Sequence, residues 1–198
     1  MTKSIYSLIC ALILISICSE VSRGDDPEGL SVGEKAPLFH GIDQFNNEFN
    51  LEQQLREGPV VLIFYRGHWC KYCNQHLENL NDSIEFIIEK GASVITVTPE
   101  KMEFIDETSK KFQGSFRIIS DEGMKIMEAY QVKYGLDSFT NSKYKIWGIN
   151  LDKFNGENGD NLPVPATYII DQDGSIKYTF YNTDYKKRVP IKTILENL

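Results

Sequence analysis

Cysteine, proline and glycine are scarce in this sequence, and no stretch of it is basic. Four cysteines in 198 residues are too few for a disulfide-scaffolded secreted domain, which is small and cysteine-dense. Fourteen glycines and seven prolines exclude a collagen-like or low-complexity chain. Lys and Arg number 21 against 28 Asp and Glu, giving a net charge of −7. Without a cationic cluster to neutralise phosphates, nucleic acid is not an expected partner. No internal repeat is visible. What is present is 41% hydrophobic and 12% aromatic residues, which excludes disorder, over a length that suits one core-burying domain.

The two ends of the first 26 residues differ in chemistry. Met1-Thr2-Lys3 gives a short positive start, and Leu8 to Ile17 is a nearly unbroken apolar run of ten residues. Polar residues follow from Ser19 to Asp26. The run is half of the ~20 residues a membrane span needs and has the layout of a secretory signal peptide, assigned to residues 1–24. Cleavage is expected after Cys18 or near Gly24, with export to the periplasm or the extracellular space. A membrane tether follows only if Cys18 is lipidated. Cys10 and Cys18 lie in this leader, so Cys70 and Cys73 are the thiols of the mature protein, whose domain is assigned to residues 30–198.

Along that domain, residues 38–50 read as a short hairpin turning at Asn46-Asn47, and Asn50 with Gln53 as a capping box opening a helix that stops at Gly58-Pro59. Val60–Tyr65 is a continuous apolar run, the pattern of a strand buried on both faces. Leu77, Leu80, Ile84, Ile87 and Ile88 have helical spacing, which predicts one amphipathic helix over 71–90 stopped by Gly91. A second buried strand is predicted over Ser93–Thr98, a helix over 100–112, a strand over Phe116–Ile119 and a helix over 121–131. Residues 135–163 show no period and are expected to be an insertion with little regular structure lying near the active edge. Strands at 166–170 and 175–180 flank Asp171-Gln172-Asp173-Gly174, an antiparallel hairpin, and a last helix starts near Pro190. This order implies an α/β fold with a central mixed sheet and helices on both faces.

Cys70-Lys71-Tyr72-Cys73 falls where the first buried strand gives way to a helix. Unpaired N–H groups and the helix dipole favour an anion there, which raises the thiolate fraction of a cysteine. A second thiol three residues on can capture the oxidised first one. Closing so short a loop adds little stability, so the pair points to chemistry rather than to a staple. His68, Cys70, Cys73 and His76 also carry nitrogen and sulfur, but four ligands within nine residues close a tetrahedron poorly, and no metal is expected. His68 and His76 are then solvated or packing side chains. Arg66 offers a cation near Cys70, and Tyr65, Trp69 and Tyr72 would shield the site from water. Pro165, directly before a strand, offers a cis bond in a tight turn.

Phe64–Asn74 (FYRGHWCKYCN), Pro163–Gly174 (PVPATYIIDQDG) and Asp184–Arg188 (DYKKR) together resemble the peroxiredoxin-like branch of the alkyl hydroperoxide reductase C/thiol-specific antioxidant family. The resemblance covers roughly residues 30–198. It implies a thioredoxin-like fold with an N-terminal hairpin extension, and Pro165 as a cis-proline facing the cysteines. It also implies a thiol-dependent peroxidase that needs no cofactor: a peroxide substrate, a redox disulfide between Cys70 and Cys73, and a thioredoxin-like electron donor.

The mainstream P-x-x-x-T-x-x-C motif registers Arg66 at its proline, Cys70 at its threonine and Cys73 at its peroxidatic cysteine. Pro165 occupies the position of the family arginine, so Arg66 or Arg188 must supply that charge. A thioredoxin register makes Cys70 the attacking thiol instead, and the helix-terminus argument also favours Cys70 as the more exposed thiolate. The roles of the two cysteines stay open at this level. An exported thioredoxin-like disulfide oxidoreductase is the alternative function, and a binding module on the same scaffold a third.

Overall fold

The computed structural model describes residues 27–113 and 116–198; the leader assigned to residues 1–24, with Cys10 and Cys18, lies outside the described residues. Strand β3 (Val60–Phe64) is buried at every position, as its unbroken apolar run requires. It pairs in parallel with β4 (Ser93–Thr98) and antiparallel with β8 (Ala166–Ile170). Outside these lie β5 (Arg117–Ser120), parallel to β4, and β9 (Ile176–Tyr181), antiparallel to β8, so the mixed sheet runs β5-β4-β3-β8-β9.

Alternate residues of β3 enter two different cores, because successive side chains of a strand point to opposite faces. Val60, Leu62 and Phe64 pack with α1 (Leu51–Glu57) and α5 (Lys125–Ala129) through Leu51, Leu55 and Met127. Val61, Ile63 and Tyr65 face α2 (Lys71–Asn81), α3 (Ile84–Glu89), α4 (Met102–Lys111) and α8 (Ile191–Asn197). Helices therefore flank both faces. The N-terminal hairpin is present as β1 (His40–Ile42) and β2 (Glu48–Asn50), and Asn50 caps α1 by accepting from the Gln53 N–H at 3.2 Å.

The single helix expected over 71–90 is two helices, broken at Asp82-Ser83. Ile84 and Ile87 keep the helical spacing, but Phe86 and Ile88 point to solvent. An apolar period therefore does not report a two-residue break between helices.

The expectation of little regular structure over 135–163 is also corrected. This segment forms α6 (Ser138–Ile146) and α7 (Leu151–Asn155), and β7 (Asn161–Pro163) returns to pair with β6 (Lys133–Gly135). Asp137 and Asn150 cap the two helices with their side chains. Tyr144, Leu151 and Leu162 supply a small apolar cluster of their own against Trp69 and Tyr134. Its helices are short and its core holds few residues, so no long period marks them in sequence. Its location beside the active edge is as expected.

Candidate active site

β3 delivers the site. After Phe64 the chain stays extended through Tyr65, whose N–H donates to the Val97 carbonyl at 3.0 Å, and then turns at Gly67. Gly67 has φ +142°, and a Cβ there would sit 2.6 Å from both Glu100 Oε1 and Trp69 Nε1, so only glycine fits. Cys70 is the N-cap of α2, and its sulfur accepts the Cys73 N–H at 3.4 Å. Both cysteines carry free thiols, and both are buried, Cys70 at 4% and Cys73 at 1% exposure. Cys70 is the slightly more exposed of the two, as expected, but neither thiol is open to solvent.

One cation reaches Cys73 directly. Arg188 Nη2 lies 3.1 Å from Cys73 Sγ, while its Nη1 donates to the carbonyls of Tyr185 and Lys187 at 2.6 Å each. Burial pushes the Cys73 thiol up. The hydrogen bond from Cys70, the Arg188 guanidinium, the Arg66 main-chain N–H and the Arg66 guanidinium outweigh it and bring it down to about 6. Cys70 moves the other way: its hydrogen bond to Cys73, then burial, then the charge on Cys73 push it up. One anion is thus shared by the pair, and it resides on Cys73.

Arg66 is 1% exposed. Its guanidinium lies over the rings of Tyr185 at 4.4 Å, Trp69 at 5.0 Å and Tyr144 at 5.5 Å, and its Nη2 donates to the Tyr144 hydroxyl. Neither Arg66 nor Arg188 has a carboxylate partner among the described residues. A buried cation is costly without a counter-ion. The Cys73 thiolate is the anion within reach.

Of the expected supporting residues, Arg66, Trp69 and Arg188 converge on the cysteines. Pro165 stands close by for a register reason: Phe64 pairs with Ala166, which sets Pro165 beside the Tyr65–Arg66 step. It lines a cleft of about 270 Å³ with Tyr134, Val164 and Tyr185. The cis bond expected at Pro165 is corrected, since no peptide among the described residues is cis. The β6–β7 ladder and the Val164 N–H, which donates to the Val132 carbonyl at 2.7 Å, carry the chain into β8 already extended, so no tight turn is called for.

Tyr65 is fully enclosed in the core layer, and Tyr72 lies on the rim with its ring 5.9 Å from that of Tyr185. His76 packs under Arg188 and Val189, and burial followed by the Arg188 charge pushes it down to about 4, so it stays neutral. Among the described residues no three His, Cys, Asp or Glu side chains converge as metal ligands would.

One residue the sequence reading missed is Glu100. The β3–β4 register pairs Phe64 with Val97, and three residues further along each strand this brings Glu100 opposite Gly67. Its carboxylate is fully buried and accepts the His68 N–H at 2.9 Å and His68 Nδ1 at 2.5 Å. The His68 ring is held between Phe104, stacked at 5.5 Å, and Phe154 at 4.7 Å. The His68 carbonyl accepts from Asn74 Nδ2 at 2.6 Å. His68 is therefore neither solvated nor plain packing: with Glu100 it pins the loop that presents Cys70.

A strand-to-helix dithiol between two arginines, on a mixed sheet of this order, defines a thiol redox site. Residues 32–179 match the AhpC/TSA family, and the chain belongs to it. Peroxiredoxin Q of Oryza sativa subsp. japonica chloroplasts is 28% identical over 182 residues, spanning 92% of this chain and 67% of that protein. The thiol-disulfide oxidoreductase ResA of Bacillus cereus is 23% identical over 176 residues, 85% of this chain and 84% of that one. The crystal structure of peroxidoxin BcpB from Mycobacterium tuberculosis superposes with a TM-score of 0.66 at 19% identity, covering 85% of this chain and 96% of that one. The fold is thioredoxin-like.

Proposed function

We propose that this chain is a thiol-dependent peroxidase acting on hydrogen peroxide or an organic hydroperoxide, with Cys73 as the attacking sulfur and Cys70 as its resolver. The observation that carries the assignment of roles is the 3.1 Å approach of Arg188 Nη2 to Cys73 Sγ, with no carboxylate paired to Arg188 among the described residues. The thiolate attacks one peroxide oxygen: the S–O bond forms, the O–O bond breaks, and the leaving alkoxide or hydroxide takes a proton. Cys73 becomes a sulfenic acid. The Cys70 sulfur then displaces water from it to close the Cys70–Cys73 disulfide, and a thioredoxin-like dithiol returns two electrons. Arg66 and Arg188 stabilise the thiolate before attack and the negative charge that moves onto the departing oxygen.

The ResA relative raises disulfide exchange with a partner protein as the second reading. That reaction needs a partner's sulfur to reach one of these thiols, and exposures of 4% and 1% favour a small peroxide. We also propose export as the setting, on the strength of the apolar run before residue 24 and of two thiols confined to one motif. N-terminal sequencing of the secreted or periplasmic protein tests this; an intact Met1 would overturn it.

Stopped-flow oxidation of the reduced protein tests the peroxidase. Cys73→Ser is expected to abolish the reaction, and Cys70→Ser to retain one fast turnover that halts at a dimedone-reactive sulfenic acid. The reverse pattern would exchange the roles. A wild-type rate no better than that of a free thiol would sink the activity itself.

A further inference from the structure

The inserted segment meets the site through Tyr144 of α6. Arg66 is sealed off from solvent, its Nε has no hydrogen-bond partner, and three aromatic rings surround its guanidinium. Ring faces attract a cation but do not fix its direction, because the attraction is spread over the π surface. A hydrogen bond to one terminal nitrogen does fix it, and the Tyr144 hydroxyl supplies the acceptor to Nη2.

We propose that Tyr144 is a positioning residue for peroxide reduction, its hydroxyl aiming the Arg66 guanidinium at the sulfur pair so that reactivity depends on the inserted helix. This rests on the peroxidase reading above. The choice of a phenol has a physical reason. A carboxylate at this position would neutralise Arg66 and draw it away from the thiolate, whereas a hydroxyl orients the cation and leaves its charge available. Burial pushes the Tyr144 phenol up, so it stays neutral at working pH. The placement is also anchored from behind: Tyr144 packs with Leu151 and Leu162, and its ring meets that of Trp69 at 5.7 Å, beside Cys70. The insertion thereby holds two sides of the site, the cation and the indole.

Tyr144→Phe removes the acceptor and keeps the ring, so the fold and the aromatic enclosure survive. Two measurements on the reduced protein are decisive: the second-order rate with hydrogen peroxide, and the pH midpoint of Cys73 alkylation by iodoacetamide in a Cys70→Ser background. We expect the peroxide rate to fall about tenfold, the loss typical of one hydrogen bond to a charged group, and the alkylation midpoint to rise. Phe139→Ala, an exposed change on the same helix, should move neither. An unchanged rate and midpoint in Tyr144→Phe would overturn the proposal, as would a fall in thermal stability with both readouts unmoved. Should the wild-type protein fail to react with peroxide, the peroxidase reading falls, and the alkylation midpoint still decides whether Tyr144 orients the cation.

Discussion

At the scale of single residues, the site is governed by where charge is permitted underground. Cys73 is held down to about 6 in spite of burial, so its anion is the majority form at neutral pH. The peroxide reaction should therefore climb roughly tenfold per pH unit below that point and flatten above it, since only the thiolate attacks. Replacing Arg188 by Met removes the cation 3.1 Å from the sulfur. The bend in that profile should then move up toward the ordinary thiol range of ~8.5, slowing the reaction at pH 7. Glu100 acts on geometry rather than charge. Glu100→Ala strips the acceptor from the His68 N–H and Nδ1 in a fully buried position, at an expected cost of about 1–3 kcal/mol measurable by urea unfolding. A variant with unchanged stability would show that the loop holds itself.

At the scale of elements, legibility followed pattern length and burial. The unbroken run Val60–Tyr65 and the D-x-D-G turn each announced a strand or hairpin that the structure contains, and the cysteine motif was placed at its strand–helix junction because those signals are local. The break between α2 and α3 left no trace, since both pieces keep one apolar period through Ile84 and Ile87. The helices of the insertion were invisible because each spans only a few turns and buries few apolar side chains. Glu100 was illegible for a different reason: it reaches the site through strand register, which no spacing along the chain encodes.

The same insertion is docked by a polar hand. Asn158 donates to the carbonyls of Pro99 at 2.8 Å and Asp121 at 3.1 Å and accepts the Gly123 N–H at 2.8 Å. Asn158→Ala leaves the buried Pro99 carbonyl without this donor, while the Asp121 carbonyl still accepts the Met124 N–H at 3.1 Å, so a loss of about 1–3 kcal/mol is expected, with hydrogen exchange rising first over 135–163. Protection unchanged over that segment would refute the docking role.

At the scale of the whole molecule, the chain's own N-terminal part covers both edges of the sheet. Gln44 inserts its side-chain amide along β5, donating to the Phe116 carbonyl and accepting the Ile118 N–H, both at 2.8 Å. On the opposite edge, residues 33–36 exchange hydrogen bonds with Gly174 and Ile176, and Leu30 accepts from Thr179 Oγ1. Bare strand edges pair with other chains. Truncation through residue 36 is expected to lower the melting temperature and promote aggregation seen by light scattering, whereas a chain starting at residue 25 should behave as the full protein does.

The two guanidinium groups near the cysteine pair have a bearing on the direction of electron flow. In the proposed Cys70–Cys73 disulfide the cations lose the thiolate as their negative partner, and an incoming dithiol restores it. The reduced state is thereby favoured, as in other oxidants whose thiolate is stabilised. On the peroxidase reading, such a couple would take electrons readily from a dithiol donor and pass them on to the peroxide.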